Sequence, residues 1–282
     1  MNRKQLIARY KKVQKIKTCG QKIVYKAIDN KDNVVALKLV INSRDTRILQ
    51  EIEILKNLNL NNVPRIIESG YVTDDDGDED ALYIIEEFIS GNSIREILDK
   101  GERFSLSKAF NLLYNLLAIE GELEKKDLLH RDINPNNIMI SDEGKIYLID
   151  FGAAKDLNGT PITKTNMHGP FTPGYAPHEQ ISNQKFIQDV RTDLYQIGVT
   201  IYECCYGKNP FIEKNDDLLD ILNKSITITP DLLSLEGDTK GLFAQLINML
   251  IAKKPSQRPD SAEAAMRYLI AIKRDLILEE NV

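Results

Sequence analysis

The stretch His130-Arg131-Asp132-Ile133-Asn134-Pro135-Asn136-Asn137, with the Asp150-Phe151-Gly152 that follows it, constrains this chain more than any other feature. Between them lie Ile138-Met139-Ile140, then Ser141-Asp142-Glu143-Gly144, then Lys145-Ile146-Tyr147-Leu148-Ile149. Alternating apolar residues around an Asp/Gly turn predict a β-hairpin. A loop carrying Asp132 and Asn137 thus runs into one strand, and Asp150 ends the next. The three polar side chains come close together. Asn137 and Asp150 offer the hard oxygen ligands that Mg2+ takes beside phosphates. Asp132 is then a carboxylate able to accept a proton from a hydroxyl.

His-Arg-Asp, an Asn five residues after that Asp, and Asp-Phe-Gly at hairpin distance resemble the catalytic loop and magnesium motif of eukaryotic-like (Hanks-type) serine/threonine protein kinases. Other segments extend the resemblance over nearly the whole chain. Val34-Val35-Ala36-Leu37-Lys38 is an apolar strand ending on the lysine that, in the family, holds the α- and β-phosphates of ATP. Residues 44–58 have helical apolar spacing at Ile48, Leu49, Ile52, Leu55 and Leu58. Glu51 stands there as the family's partner for Lys38, with Glu53 as the alternative if the register slips. Thr172-Pro173-Gly174-Tyr175-Ala176-Pro177-His178-Glu179 resembles the end of an activation segment, with His178 where the family has proline. Glu179 is expected to pair with Arg258. Thr192-Asp193 opens an apolar helix whose aspartate, in the family, accepts hydrogen bonds from the catalytic-loop backbone.

The resemblance implies an α+β, two-lobed protein kinase fold. Residues 1–88 would form a small antiparallel sheet lobe with one helix, and 89–282 a larger helical lobe, together one catalytic domain with ATP in the cleft. It implies transfer of the ATP γ-phosphoryl group to serine or threonine hydroxyls of proteins, with autophosphorylation. Asp132 is the expected base, Asn137 and Asp150 the Mg2+ ligands. Gly20, Val24, Ala36, Lys38 and Met139 are expected around the nucleotide. Glu87 and Ile89 follow from the resemblance alone as hinge residues meeting adenine through their backbone. Thr163 and Thr165, with Thr160 behind them, are the expected regulatory phosphorylation sites, read by Arg131.

Three departures qualify this picture. Gly20 is the single glycine of Lys17–Ala27, where the family carries three over the phosphates. Glu86 stands at the usually apolar position guarding the back of the pocket. Asn134 replaces the lysine that reaches the γ-phosphate in serine/threonine kinases; an amide can hydrogen-bond a phosphate oxygen but brings no charge. Losing that charge could cost about 2–4 kcal/mol in the transition state. The alternative reading is therefore a pseudokinase acting as an ATP-binding or scaffold protein. A small-molecule kinase is a third, opposed by the activation segment and the Glu179–Arg258 match.

Composition narrows the classes further. The chain has 282 residues, 42% hydrophobic and 28% charged, with net charge −5, which argues against nucleic acid as a partner. No apolar run reaches the ~20 residues of a membrane span, and the N-terminus lacks a signal-peptide core. Cys19, Cys204 and Cys205 make neither a disulfide framework nor a zinc spacing, so a reducing, cytoplasmic setting is expected. The acidic run from Thr73 to Asp80 reads as a solvated hairpin tip, since it lacks the loop length and terminal glutamate of an EF-hand. Oligomeric state and substrate identity leave no mark on the sequence.

Overall fold

Along Val34–Val40, odd-numbered residues face one side of a strand and even-numbered residues the other. The first half of the molecule is built on that division. The structure, a computed structural model, describes residues 1–19, 22–40, 46–58, 60–73, 80–157, 171–184 and 186–279. Gly20, most of the acidic run and Thr160, Thr163 and Thr165 lie outside these residues. The chain divides into two compact units, Met1–Ser90 and Gly91–Val282.

The first unit opens with helix α1 (Arg3–Ile7), capped by Asn2, and strand β1 (Tyr10–Cys19). Strands β2 (Lys22–Asp29) and β3 (Val34–Val40), helix α2 (Thr46–Asn57), and strands β4 (Ile66–Thr73) and β5 (Asp80–Glu87) follow. The five strands make an antiparallel sheet in the order β1-β2-β3-β5-β4. Val35, Leu37 and Leu39 join Leu6, Ala27, Tyr83 and Ile85 in one apolar core. On the opposite face Val40, Leu82 and Ile84 pack with Ile52 of α2. Of the apolar residues on α2, Ile52 and Leu55 are buried, whereas Leu49 is 42% exposed and lies off the packed stripe. The apolar run Asn62–Ile67 predicts a strand, yet β4 starts only at Ile66. Pro64 has no N–H to give a ladder, and Val63 turns back to the Leu60 carbonyl.

The second unit begins with β6 (Gly91–Ser93), α3 (Ile94–Asp99) and the long α4 (Leu106–Glu124). Ser93 and Ser105 cap the two helices. Short strands β7 (Leu128–Leu129), β8 (Ile138–Ser141), β9 (Ile146–Leu148) and β10 (Lys155–Asp156) come next. Helices α5 (His178–Ile181), α6 (Val190–Tyr206), α7 (Leu218–Thr227), α8 (Leu242–Leu250) and α9 (Ala262–Ile272) complete it. The apolar stripe of α4, Leu112, Leu113, Leu116, Leu117 and Leu123, packs against α6 and α9. Helix α6 is buried almost throughout, as its hydrophobicity predicts. It approaches α8 so closely that a Cβ on Gly198 would sit 2.7 Å from the Leu250 Cβ. It starts two residues before the expected Thr192, because Asp189 caps it and places Asp193 in its first turn. Among the described residues, no helix is long and apolar enough to cross a membrane.

Candidate active site

In the second unit the hairpin β8–β9 pairs Ile138 with Leu148, and the Ile149 N–H donates to the Asn137 carbonyl at 2.8 Å. The ladder thus continues one step beyond the strands, and Asn137 and Asp150 sit together at its open end. At the other end Gly144, at φ 80°, closes the turn, its N–H donating to the Ser141 carbonyl.

Asp132 is held at both carboxylate oxygens. The Thr172 hydroxyl donates to Oδ1 at 2.6 Å, and the Asn137 amide nitrogen donates to Oδ2 at 2.8 Å. Burial raises the pKa of Asp132 from the usual carboxylate range to about 6, against the lowering effect of the Thr172 hydrogen bond; the nearby Asp150 charge adds to the rise. Asn137 also donates to the Asp132 carbonyl, so these bonds use its nitrogen and point its oxygen elsewhere.

Asn134, expected to face a phosphate, is only 1% exposed. Its amide nitrogen donates to the Asp132 carbonyl at 3.0 Å and to Thr172 Oγ1 at 3.3 Å. Its oxygen accepts from the Asn136 N–H and side chain. The residue is a clasp that ties the catalytic-type loop to itself and to the Thr172 segment.

Helix α6 fixes the loop from below. Asp193 accepts from the backbone N–H groups of His130 at 2.6 Å and Arg131 at 2.7 Å. Burial pushes its carboxyl up, and these two bonds oppose the rise. One turn on, Gln196 accepts from the Ile133 N–H and donates to the Arg131 carbonyl, which Gln180 also reaches. Residues three apart share a helix face, so Asp193 and Gln196 form one cradle; sequence reasoning found only the aspartate, although the i,i+3 spacing was there to be read. Arg131 and Asp150 both have φ near +65°, a strained setting for residues with a Cβ, and the bonds with Asp193, Gln196 and Gln180 hold Arg131 there. His130 is fully buried, accepts the Asp132 N–H at Nδ1, donates from Nε2 to the Ile149 carbonyl, packs edge-on against Phe151, and is driven down to about pKa 4 by burial. Arg258 Nη1 meets Glu179 Oε1 at 2.5 Å in a buried pair, as expected from the sequence. Met139 lies on β8 opposite Tyr147.

In the first unit Val24 lies directly opposite Lys38, and Ala36 lies two residues before it on β3, so the three share the sheet face under α2. Lys38 Nζ meets Glu86 Oε1 at 2.6 Å, and Glu51 of α2 receives Lys22 Nζ at 2.6 Å. Both pairs are largely buried. Glu86 as a partner of Lys38 was not foreseen. Glu87 ends β5, its N–H given to the Arg65 carbonyl, and Ile89 follows it, buried.

The protein kinase domain family matches residues 10–269. A "Probable serine/threonine-protein kinase" of Clostridium acetobutylicum is 27% identical over 97% of this chain and 41% of its own length. "Probable serine/threonine-protein kinase PknB" of Bifidobacterium longum is 29% identical over 81% of the chain and 34% of its own length. "Serine/threonine-protein kinase PknA" of Mycobacterium tuberculosis is 27% identical over 90% of the chain and 58% of its own length. The chain therefore spans less than two thirds of the length of these relatives. With the match running through the sheet, the Asp132 loop and the Glu179–Arg258 pair, the chain belongs to the protein kinase domain family.

Proposed function

We propose that this protein transfers the γ-phosphoryl group of ATP to serine or threonine hydroxyls of protein substrates, itself included. The observation that carries the reading is the Asp132 carboxylate, held at both oxygens and poised at about pKa 6. Such a group is ionised at neutral pH yet basic enough to take the proton of an attacking hydroxyl. Thr172 and Asn137 orient it, and the α6 cradle keeps its loop in place.

The residues fit Mg2+ at the hairpin end: one amide oxygen from Asn137 and one carboxylate from Asp150, the sparse oxygen set that this ion combines with phosphates and water. When bound, the ion would neutralise charge on the phosphates. The first unit would bind nucleotide through Gly20, Val24, Ala36, Glu87 and Ile89, with Lys38 directed to the phosphates and Glu51 supporting it from α2. Met139 is the second unit's candidate nucleotide contact. The clasp role of Asn134 accounts for the missing lysine without loss of the base, which supports catalysis over the pseudokinase alternative. The buried thiols Cys204 and Cys205 support a reducing, cytoplasmic location.

The test is incubation with radiolabelled ATP, Mg2+ and a generic protein substrate, followed by peptide mapping of both proteins, with Asp132→Asn as control. Phosphate on serine or threonine that disappears in the variant is expected. Nucleotide binding without any transfer would overturn the reading in favour of a pseudokinase.

A further inference from the structure

The sheet face that carries Val24, Ala36 and Lys38 holds four charges away from water. Lys38 pairs with Glu86, their side chains 9% and 7% exposed, and Lys22 pairs with Glu51, at 13% and 0%. The register explains how they meet. Ala36 is opposite Glu86 and Lys38 opposite Ile84, so Lys38 and Glu86 are diagonal neighbours on one face of the β3–β5 ladder. Val24 is opposite Lys38 and Lys22 opposite Val40, so Lys22 flanks Lys38 on the other side.

A buried carboxylate is expensive to keep ionised without a partner. Lys38 supplies that partner for Glu86. The converse matters more. Both strands that carry this pair lie inside the sheet. An ammonium has three N–H donors, so a bond to Glu86 is compatible with a bond to a phosphate oxygen.

We propose that Glu86 is a positioning residue for nucleotide binding, a carboxylate within the sheet that holds the Lys38 ammonium at the angle from which it meets phosphate. The β3–β5 ladder then contributes to the placement of the lysine, and Glu51 of α2 also reaches Lys22 on β2. The acidic residue at the usually apolar position is part of the phosphate-binding apparatus. This inference rests on the reading of Lys38 as the phosphate-binding lysine.

Titration calorimetry with MgATP on the full chain tests it, comparing the parent with Glu86→Gln, Glu86→Leu, Lys38→Met and the double variants Lys38→Met/Glu86→Gln and Lys38→Met/Glu86→Leu. Glutamine keeps the shape and leucine offers an apolar alternative should glutamine fail to fold; thermal midpoints identify folded variants. With Lys38 present, each Glu86 substitution is expected to weaken MgATP binding on the order of tenfold, the scale of a lost hydrogen bond between charged groups. In the Lys38→Met background the same substitutions should change affinity less than about twofold, since a residue that acts through Lys38 has nothing left to act on. Equal losses in both backgrounds would overturn the proposal, because Glu86 would then act directly or through the fold. Unchanged affinity in both Glu86 variants, with Lys38→Met still weakened, would overturn it while leaving the lysine's role intact. Unchanged affinity in Lys38→Met would sink the lysine reading and the proposal together.

Discussion

Replacing Thr172 by valine keeps the volume of the side chain and removes the hydroxyl that donates to Asp132 Oδ1 at 2.6 Å. That bond favours the ionised carboxylate, so its loss must raise the Asp132 pKa above its present value of about 6. A hydrogen bond to a charged group contributes about 1.5–3 kcal/mol. At 1.36 kcal/mol per pKa unit this is a rise of about one to two units. The base form exists above the pKa, so activity falls as pH drops through it. In the parent protein roughly nine-tenths of the base is ionised at pH 7; in the variant this falls to about half or less. The assay is kcat/KM for a peptide substrate from pH 5.5 to 9, which reports the free enzyme's essential base. The acid limb should move from about 6 to ~7–8, with the loss largest at pH 6 and smallest at pH 9. Thr172→Ser should bring the limb back, because the hydroxyl returns. A limb that stays at about 6 in the valine variant, whatever the absolute rate, would refute Asp132 as the titrating base or Thr172 as its tuner.

Asn134→Lys should lower turnover on the order of tenfold, since lysine has no acceptor for the Asn136 N–H and its charge would enter a buried clasp; a faster enzyme would mean that the family's phosphate contact was merely missing. Asp150→Ala should abolish Mg2+-dependent transfer while leaving the circular dichroism spectrum unchanged, and near-normal activity would remove Asp150 from the metal site. Arg258→Met strands the buried Glu179 carboxylate and should cost about 3–5 kcal/mol, a fall in thermal midpoint on the order of 10 °C, partly regained in Glu179→Met/Arg258→Met. Lys38→Ala should reduce activity by orders of magnitude, and Glu51→Ala added to it should cost little more; fully additive losses would show that Glu51 does not act through Lys38.

Much of the site was legible because its spacing follows from backbone periodicity. Two apolar strands around Ser141–Gly144 bring Asn137 to Asp150 whatever the rest of the chain does. The Glu179–Arg258 pair was legible only through resemblance, since nothing local links residues so far apart. Asn134 could not be read, because an amide hydrogen-bonds water, phosphate or backbone equally well and its neighbours choose among them. Glu86 was hidden for a different reason. Its meeting with Lys38 depends on β5 being inserted between β3 and β4 and on the β3–β5 register, neither of which residue type encodes. The early start given to β4 came from weighing apolar content above the missing N–H of Pro64.

The alternation along β3 has a consequence for how such a chain can change. Val35, Leu37 and Leu39 serve the core while Ala36, Lys38 and Val40 lie on the opposite face. A single inserted or deleted residue would exchange the two sets, pushing Lys38 into the apolar core and turning leucines toward Glu86. Folding and nucleotide chemistry would fail in the same step, with no well-folded, inactive intermediate between them. Length changes in this strand are therefore barred twice over, whereas the β2–β3 turn at residues 30–33 can lengthen or shorten without touching the register.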